Sequence, residues 1–514
     1  MAILLGNVAS SRLDDIALTD PRQRLTWRQA DANVSRAASG MAGTVAPDRR
    51  VGVLARNCAE GVLATVASMA ASRCAVQINS HLAAGELAYI LQEGAVDLLF
   101  TGPECLDTAR AAAAELDTDL QIVAWRSSEM PQVLDWEDWL ARQSASEPPD
   151  DQPALPHLHF TSGTTGRPKA VRTAPTMFPQ VSTVAELFAA LGEEARQGVT
   201  GPALAVAPLY HASPMRLIRA FAGGTPLVIL DRFDAEATLA AIEQHRIERV
   251  VMVPTHFRRL LALPVETRAR YDVSSLKLVS HTGAACPPDV KRAMIEWFGP
   301  VFLEVYGGTE TGPVTSILSA DALAHPGSVG RATPPFEVLI LDDNGEPLPP
   351  GEEGRLCFRD TSGRGFEYVG DPDKTRASQV APGIQTLGEM GYVDEQGWVY
   401  ITDRTADMIV SGGVNIYPAE IEHVLGAHPA LEDVAVIGVP NADMGEEVKA
   451  LAVLRADTDQ PDDAELDAWC RARLAGFKCP RSYDFVESVG RTAMGKVNKR
   501  ALRAPYWPTE RTIG

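Results

Sequence analysis

The densest concentration of anion-binding chemistry in the chain lies in nine residues, Thr161-Ser162-Gly163-Thr164-Thr165-Gly166-Arg167-Pro168-Lys169. Glycines let backbone N–H groups approach phosphate oxygens, the four hydroxyls add donors, and the lysine supplies a local positive charge. The spacing is not that of the Walker A loop, GxxxxGK[ST]. Alone, such a stretch would read as a mobile surface turn.

Further stretches downstream combine small residues with side chains able to do chemistry. Tyr306-Gly307-Gly308-Thr309-Glu310-Thr311-Gly312 sets a hydroxyl and a carboxylate in a glycine-rich turn. Arg491-Thr492-Ala493-Met494-Gly495-Lys496 ends in a lysine that opens a basic run with Lys499, Arg500 and Arg503, which by itself could be a solvated face. Leu387-Gly388-Glu389 presents one acid. Three histidines follow apolar segments, in Pro208-Leu209-Tyr210-His211-Ala212-Ser213-Pro214-Met215, Val253-Pro254-Thr255-His256 and His281-Thr282-Gly283-Ala284-Ala285.

The elements that must position these groups follow from pattern. Short β-prone runs (Arg50–Leu54, Ala203–Pro208, Pro226–Leu230, Arg249–Val253) alternate with alanine-rich stretches of helical spacing (Glu60–Ser72, Ala235–His245), which predicts parallel strands with crossover helices. Ser144–Pro156, proline-rich and acidic, reads as an exposed linker into a strand at Leu158–Thr161, directly before the glycine loop. Glycine and proline turns between short strands from Gly345 to Gly397 predict a small β-rich subdomain. Beyond it, a helix at Pro418–Leu425, strands at Val434–Val439 and Val448–Leu454, and a helix at Asp463–Leu474 predict a compact α+β unit. The expectation is therefore an α/β protein: a large N-terminal domain, residues 1–403, of parallel-sheet subdomains plus the small β-rich one, followed by a small α+β C-terminal domain, residues 404–514.

Composition narrows the ligands. At 514 residues the chain exceeds the size of one ordinary core. Sixty-seven acidic against forty-seven basic side chains give a formal charge of −20, which repels nucleic acid and anionic membrane surfaces, so a polyphosphate must be held by local charge. The seven cysteines are odd in number and form no CxxC pair, which argues against a disulfide framework or a zinc cluster. The N-terminal segment lacks a basic leader and no window supplies a membrane span, so a cytoplasmic protein is expected.

Taken together, the TSGTTGRPK stretch, YGGTETG, Tyr400-Ile401-Thr402-Asp403-Arg404, Ser411-Gly412-Gly413-Val414-Asn415-Ile416-Tyr417-Pro418 and RTAMGK resemble, in order and spacing, the five motifs of the acyl- and aryl-CoA ligase, luciferase and peptide-synthetase adenylation superfamily. The likeness spans essentially the whole chain. It implies ATP-dependent activation of a carboxylic acid, with ATP and Mg²⁺ required because two anions must meet at the α-phosphorus. By resemblance Thr161, Ser162, Gly163, Thr164, Thr165, Gly166 and Lys169 hold the β and γ phosphates, Thr309 contacts the α-phosphate, and Glu310 supports the metal. Lys496 bridges the carboxylate and the α-phosphate. Gly283, Ala284, Ala285, Tyr306 and Gly307 line the nucleotide and acid sites, His211 resembles the gate beside the carboxylate, and Glu389, where the family usually has aspartate, takes the ribose with Arg404 behind it.

The same resemblance makes the C-terminal domain mobile, pivoting at a residue that here is Ala406, and leaves homodimerisation open. The leading acceptor is coenzyme A, given the likeness to bacterial acyl-CoA synthetases in Lys291–Glu304 and Gly476–Pro480. An amide bond synthetase, which passes the adenylate to an amine, would share every motif and give His211 weight as a base. A nucleotide-binding protein without catalysis is the reading from another class, and intact Lys169, Glu310 and Lys496 argue against it.

Overall fold

A computed structural model describes residues 3–127, 133–161, 168–172, 174, 177–283, 286–342, 344–404, 409–416, 418–490, 497 and 499–507. Three sheets organise these residues. The first contains β1 (Arg50–Leu54), β2 (Ala75–Ile78), β3 (Val96–Thr101), β4 (Gln121–Ala124), β5 (Leu134–Asp135), β6 (Leu158–Thr161) and β7 (Lys169–Arg172), in the spatial order β5-β4-β3-β1-β2-β6-β7. Its pairs are parallel except β6 with β7, which turn back on each other around the glycine loop. Helix α1 (Ala84–Glu93) crosses between β2 and β3. The helix Ala59–Ala70, apolar on every side, is buried along its whole length, as expected where helices cover a parallel sheet.

The linker expected at 144–156 is mostly exposed, yet its end is fastened: Val184 and Ala185 donate backbone hydrogen bonds to Gln152 and Asp150, and Ala154 donates to Ser182. Helix α2 (Val184–Gln197) starts there with a capping box of Thr183 and Glu186.

The second sheet has fifteen strands. Its parallel part comprises β8 (Ala203–Ala205), followed by helix α3 (Arg216–Ala222), then β9 (Leu227–Ile229), β10 (Arg249–Met252), β11 (Leu278–His281) and the start of β12 (Phe302–Gly308). From β12 onward the ladder becomes antiparallel through β13 (Gly312–Leu318) and β14 (Ser328–Ala332). The β-rich region adds β15 (Phe336–Leu341), β16 (Gly354–Asp360), β17 (Glu389–Val393) and β18 (Val399–Arg404). The texture change at 345–397 predicts a small subdomain; in the structure its strands continue the large sheet, because β18 pairs with β14. The first sheet up to β6 and the β8–β12 half of the second have the parallel layout that the alternating pattern predicts.

The third sheet, small and mixed, holds β19 (Ile409–Ser411), β20 (Val414–Ile416), β21 (Leu431–Asn441), β22 (Gly445–Leu454) and β23 (Ser482–Phe485), covered by α4 (Pro418–Gly426) and α5 (Asp463–Arg471). It has its own core, including Ile409, Ile421, Leu425, Val436, Ala450 and Leu466, separate from the cores around Phe100 and Trp125 and around Phe257 and Met294. No described helix is long and apolar enough to cross a membrane.

Candidate active site

A cavity of about 1320 Å³ lies where the three sheets meet, and most of the candidate residues with described positions line it. Each arrives by a simple local device. Thr161 ends β6, and Pro168 precedes β7, so the two limbs of the glycine loop enter the cavity side by side. Ser162, Gly163, Thr164, Thr165 and Gly166 lie outside the described residues. Lys169 is described and does not line the cavity: its ammonium sits 2.9 Å from Asp371, whose carboxylate pushes the lysine's pKa up.

The YGGTETG motif forms the turn between β12 and β13. Gly307 faces Pro313 and Gly308 faces Gly312 across the ladder, and a side chain at Gly307 would lie 1.9 Å from the Gly312 carbonyl oxygen, so the turn closes only with glycine there. Thr311 tightens it, its hydroxyl accepting from Gly308 N–H at 3.0 Å and donating to the Gly312 carbonyl at 2.8 Å. Thr309 and Glu310 are thereby held half-buried at the tip, facing the cavity. The Tyr368 hydroxyl donates to Glu310 Oε1 at 3.1 Å.

Glu389 opens β17 and also lines the cavity. Only 6% exposed, it accepts a hydrogen bond from the Tyr306 hydroxyl at 2.8 Å, and Arg404 of β18 is its partner across the ladder. The nucleotide motif and the acid expected at the ribose are thus in contact, although 83 residues apart.

The three histidines part ways. His211 lines the cavity beside Tyr210, ring centroids 4.5 Å apart, and burial pulls its pKa down to about 4. His256 and His281 also border the cavity, but His256 stacks flat on Phe233 at 4.0 Å and His281 packs edge-on against Phe257 at 5.1 Å. Burial lowers both to about 3, and for His281 the neighbouring Lys291 ammonium, paired with buried Glu304, adds to the effect. Gly283 reaches the cavity in the left-handed region, φ +86°. Ala284, Ala285, Ala406 and Lys496 lie outside the described residues, and of Arg404 only the backbone is described.

The third sheet supplies the remaining wall. The β19–β20 turn brings Gly412 and Gly413 to the cavity, Gly413 against Val253 and Gly283, and Phe477 and Lys478 approach from the segment after α5. Lys478, which the sequence reading left without a role, is 2.6 Å from Glu86 of α1 and 2.8 Å from Glu420 of α4, all three nearly buried. Ala475 N–H also donates to Glu86, at 2.8 Å. An acid three residues into a helix and a lysine nearly 400 residues later share no local pattern, so this cluster could not be read from sequence. A second side chain missed there, Arg219 on α3, is buried and also lines the cavity. Its signal was present: an arginine within the otherwise apolar segment Leu217–Ala222.

The arrangement agrees with the known proteins this chain resembles. The model of the AMP-binding enzyme family matches residues 6–363, and that of the AMP-binding enzyme C-terminal domain matches residues 420–496. A feruloyl-CoA synthase of an Amycolatopsis species is 34% identical over 494 residues, covering 94% of each chain. Among solved structures, the amide bond synthetase McbA from Marinactinospora thermotolerans superposes with a TM-score of 0.83 at 27% identity, covering 98% of this chain and 100% of that one. A double mutant of o-succinylbenzoate-CoA synthetase from Bacillus subtilis, bound with a product analogue, gives 0.80 at 25% identity over 98% of both chains.

Proposed function

Because the chain belongs to the AMP-binding enzymes, we propose that it joins a carboxylic acid to ATP as an acyl-adenylate, releasing pyrophosphate, and then passes the acyl group to the thiol of coenzyme A. The observation that carries this reading is the cavity bounded by the limbs of the glycine loop, the Thr309–Glu310 turn, Glu389 and the third sheet together.

Adenylation brings a carboxylate to a triphosphate, so the site must neutralise charge and hold the two reactants in line. Thr161 and the loop after it are assigned to the β and γ phosphates, with Lys169 as their cation once it exchanges Asp371 for phosphate. Thr309 is assigned to the α-phosphate. Glu389 and Tyr306 are assigned to the ribose hydroxyls and the adenine side, a reading supported by the 2.8 Å hydrogen bond that the Tyr306 hydroxyl donates to the Glu389 carboxylate. Lys496 is assigned to bridge the carboxylate and the α-phosphate.

Glu310 offers the cavity one carboxylate, and no group of three or more histidine, cysteine, aspartate and glutamate side chains converges among the described residues. That donor set fits Mg²⁺, which takes one or two protein carboxylates and fills its octahedron with water and phosphate oxygens. When bound, the ion offsets the charge of the triphosphate. His211, held neutral by burial at physiological pH, can donate a hydrogen bond to an arriving carboxylate without forming an ion pair.

The likeness to McbA favours a second reading, transfer of the adenylate to an amine. It ranks second because an imidazole with a pKa of about 4 is a weak base at neutral pH. The deciding experiment is a mass-spectrometric product screen with ATP and an acid panel, with and without coenzyme A and with amines. The proposal expects AMP and acyl-CoA only when coenzyme A is present. Amides formed with coenzyme A ignored would establish the second reading. Lys496→Ala should abolish acid-dependent pyrophosphate exchange, and unchanged exchange would overturn the assigned mechanism.

A further inference from the structure

Helix α3, Arg-Leu-Ile-Arg-Ala-Phe-Ala, turns Leu217, Ile218, Phe221 and Ala222 into the core, and Arg219 goes in with them, 7% exposed. A buried guanidinium ordinarily faces a carboxylate, because taking an unpaired charge out of water is costly. The Arg219 guanidinium has no hydrogen bond or ion pair among the described residues. The acid whose charge reaches it, Glu194, is an exposed residue of α2. Nor do its neighbours compensate: His157 and His159 are buried, and desolvation holds both neutral, His159 near a pKa of 4. Burial has in turn pulled the arginine itself down to about 10.

Position shows what the charge is for. Arg219 lines the same cavity as Thr309 and Glu310. Helix α3 follows β8, and the sheet order runs β12-β11-β10-β8, so three strand spacings, about 14 Å, separate the nucleotide turn from the strand beside Arg219. That is the span of an elongated acid rather than of a carboxylate alone. Arg249 of β10 reinforces the same lobe: it lines the cavity, one guanidinium nitrogen donates to the Val199 carbonyl at 2.7 Å, and its Nε is buried without a partner. Glu194 lines the cavity too and its charge reaches both arginines, yet it forms no ion pair with either among the described residues.

We propose that Arg219 is a specificity residue that pairs with a second anionic group at the far end of the substrate, so that the enzyme prefers dicarboxylic acids to monocarboxylic acids of equal length. This rests on the adenylation reading and names its substrate class. A guanidinium matches a carboxylate through two parallel N–H···O bonds, and a buried guanidinium gains more from such a pair than one in water. The substrate thus completes an ion pair that the fold leaves half-built.

The test is acid-dependent pyrophosphate release by the full-length enzyme with straight-chain and aromatic dicarboxylic acids of graded length, each beside its monomethyl ester. The expected result is a kcat/KM ratio of diacid to monoester of roughly 10 to 100 at the best length. Arg219→Met should bring that ratio down to about one, mainly through KM, with Arg219→Lys restoring part of it; a merely structural arginine would not move the ratio. Thermal unfolding of the variants checks that they fold, and the wild-type panel needs no variant at all. A wild-type ratio at or below one across the panel overturns the proposal while leaving adenylation intact, as does a ratio unchanged in a folded Arg219→Met enzyme. No release with any acid would instead refute the adenylation reading on which it rests.

Discussion

Substituting Glu86 by glutamine keeps the shape of the side chain and removes its charge at the seam between the first and third sheets. In the native structure one oxygen accepts from Lys478 Nζ at 2.6 Å, and the other accepts from Ala475 N–H at 2.8 Å and from Ala83 N–H at 2.9 Å. A glutamine has a single acceptor oxygen. Whichever way the amide turns, its NH₂ must face either the ammonium or the backbone donors. The change forfeits one charge-assisted bond, about 1.5–3 kcal/mol, and leaves a nearly buried donor unpaired, about 1–3 kcal/mol. Glu420 still holds Lys478 at 2.8 Å, which limits the total to about 3 kcal/mol, or roughly a hundredfold in the opening equilibrium of the seam. Hydrogen exchange followed by mass spectrometry reads this directly. Exchange in Ala475–Cys479 and at the start of α1 should quicken by about two orders of magnitude, while β10 to β12 keep their protection. Protection at the seam within threefold of wild type, or an equal loss in every sheet, would refute the reasoning. In the Glu86→Gln background Lys478→Met should cost less than it does alone, since the two act on one cluster.

The same cluster makes docking pH-dependent. Burial raises Glu420 from its ordinary value to about 7, with Lys478 pulling the other way and Glu86 adding to the rise. An acid raised in the folded state stabilises it below the acid's ordinary pKa and loses that contribution as pH climbs through 7, so seam protection, corrected for intrinsic exchange, should fall between pH 5 and 8. Gly307→Ala drives a Cβ to 1.9 Å from the Gly312 carbonyl oxygen and must open the β12–β13 turn; a shift near 1 Å at Thr309 and Glu310 should cut pyrophosphate exchange by about a hundredfold or more. Gly308→Ala meets only side-chain atoms, Glu310 Oε2 at 3.0 Å and Leu387 at 3.2 Å, and should lose less than tenfold. Comparable rates for the two alanine variants would count against the steric argument.

The elements that carry local pattern were legible. The helix at 235–245, the strands at 50–54 and 158–161 and the two helices after 418 were all readable from periodicity, because one face of each is buried within a few residues of sequence. The glycines at 307 and 308 stood out in the sequence, but the Gly312 carbonyl that requires glycine at 307 left no sign there. What the sequence did not show is long-range pairing. Nothing in 345–397 announces that β18 will add to β14, since hydrogen-bond partners between strands leave no mark on composition. Histidines were equally opaque: His211, His256 and His281 follow similar apolar runs, and only packing separates the one beside Tyr210 in the cavity from the one stacked on Phe233. Lys169, expected at phosphate, pairs with Asp371, and a partner more than 200 residues away leaves no local sign in the sequence.

The strand β18 ends at Arg404, opposite Glu389, and β19 begins at Ile409. Five peptide steps cap the distance between those two points at about 18 Å. The surface that carries Gly412, Phe477 and Lys478 is therefore never dilute with respect to the nucleotide turn. Its effective concentration there is set by the tether, and for so short a connection it lies in or above the millimolar range. Contacts such as Glu86 with Lys478 need not recruit a partner from solution: the short connection already holds the two surfaces at high local concentration, so modest bonds suffice to keep the seam closed.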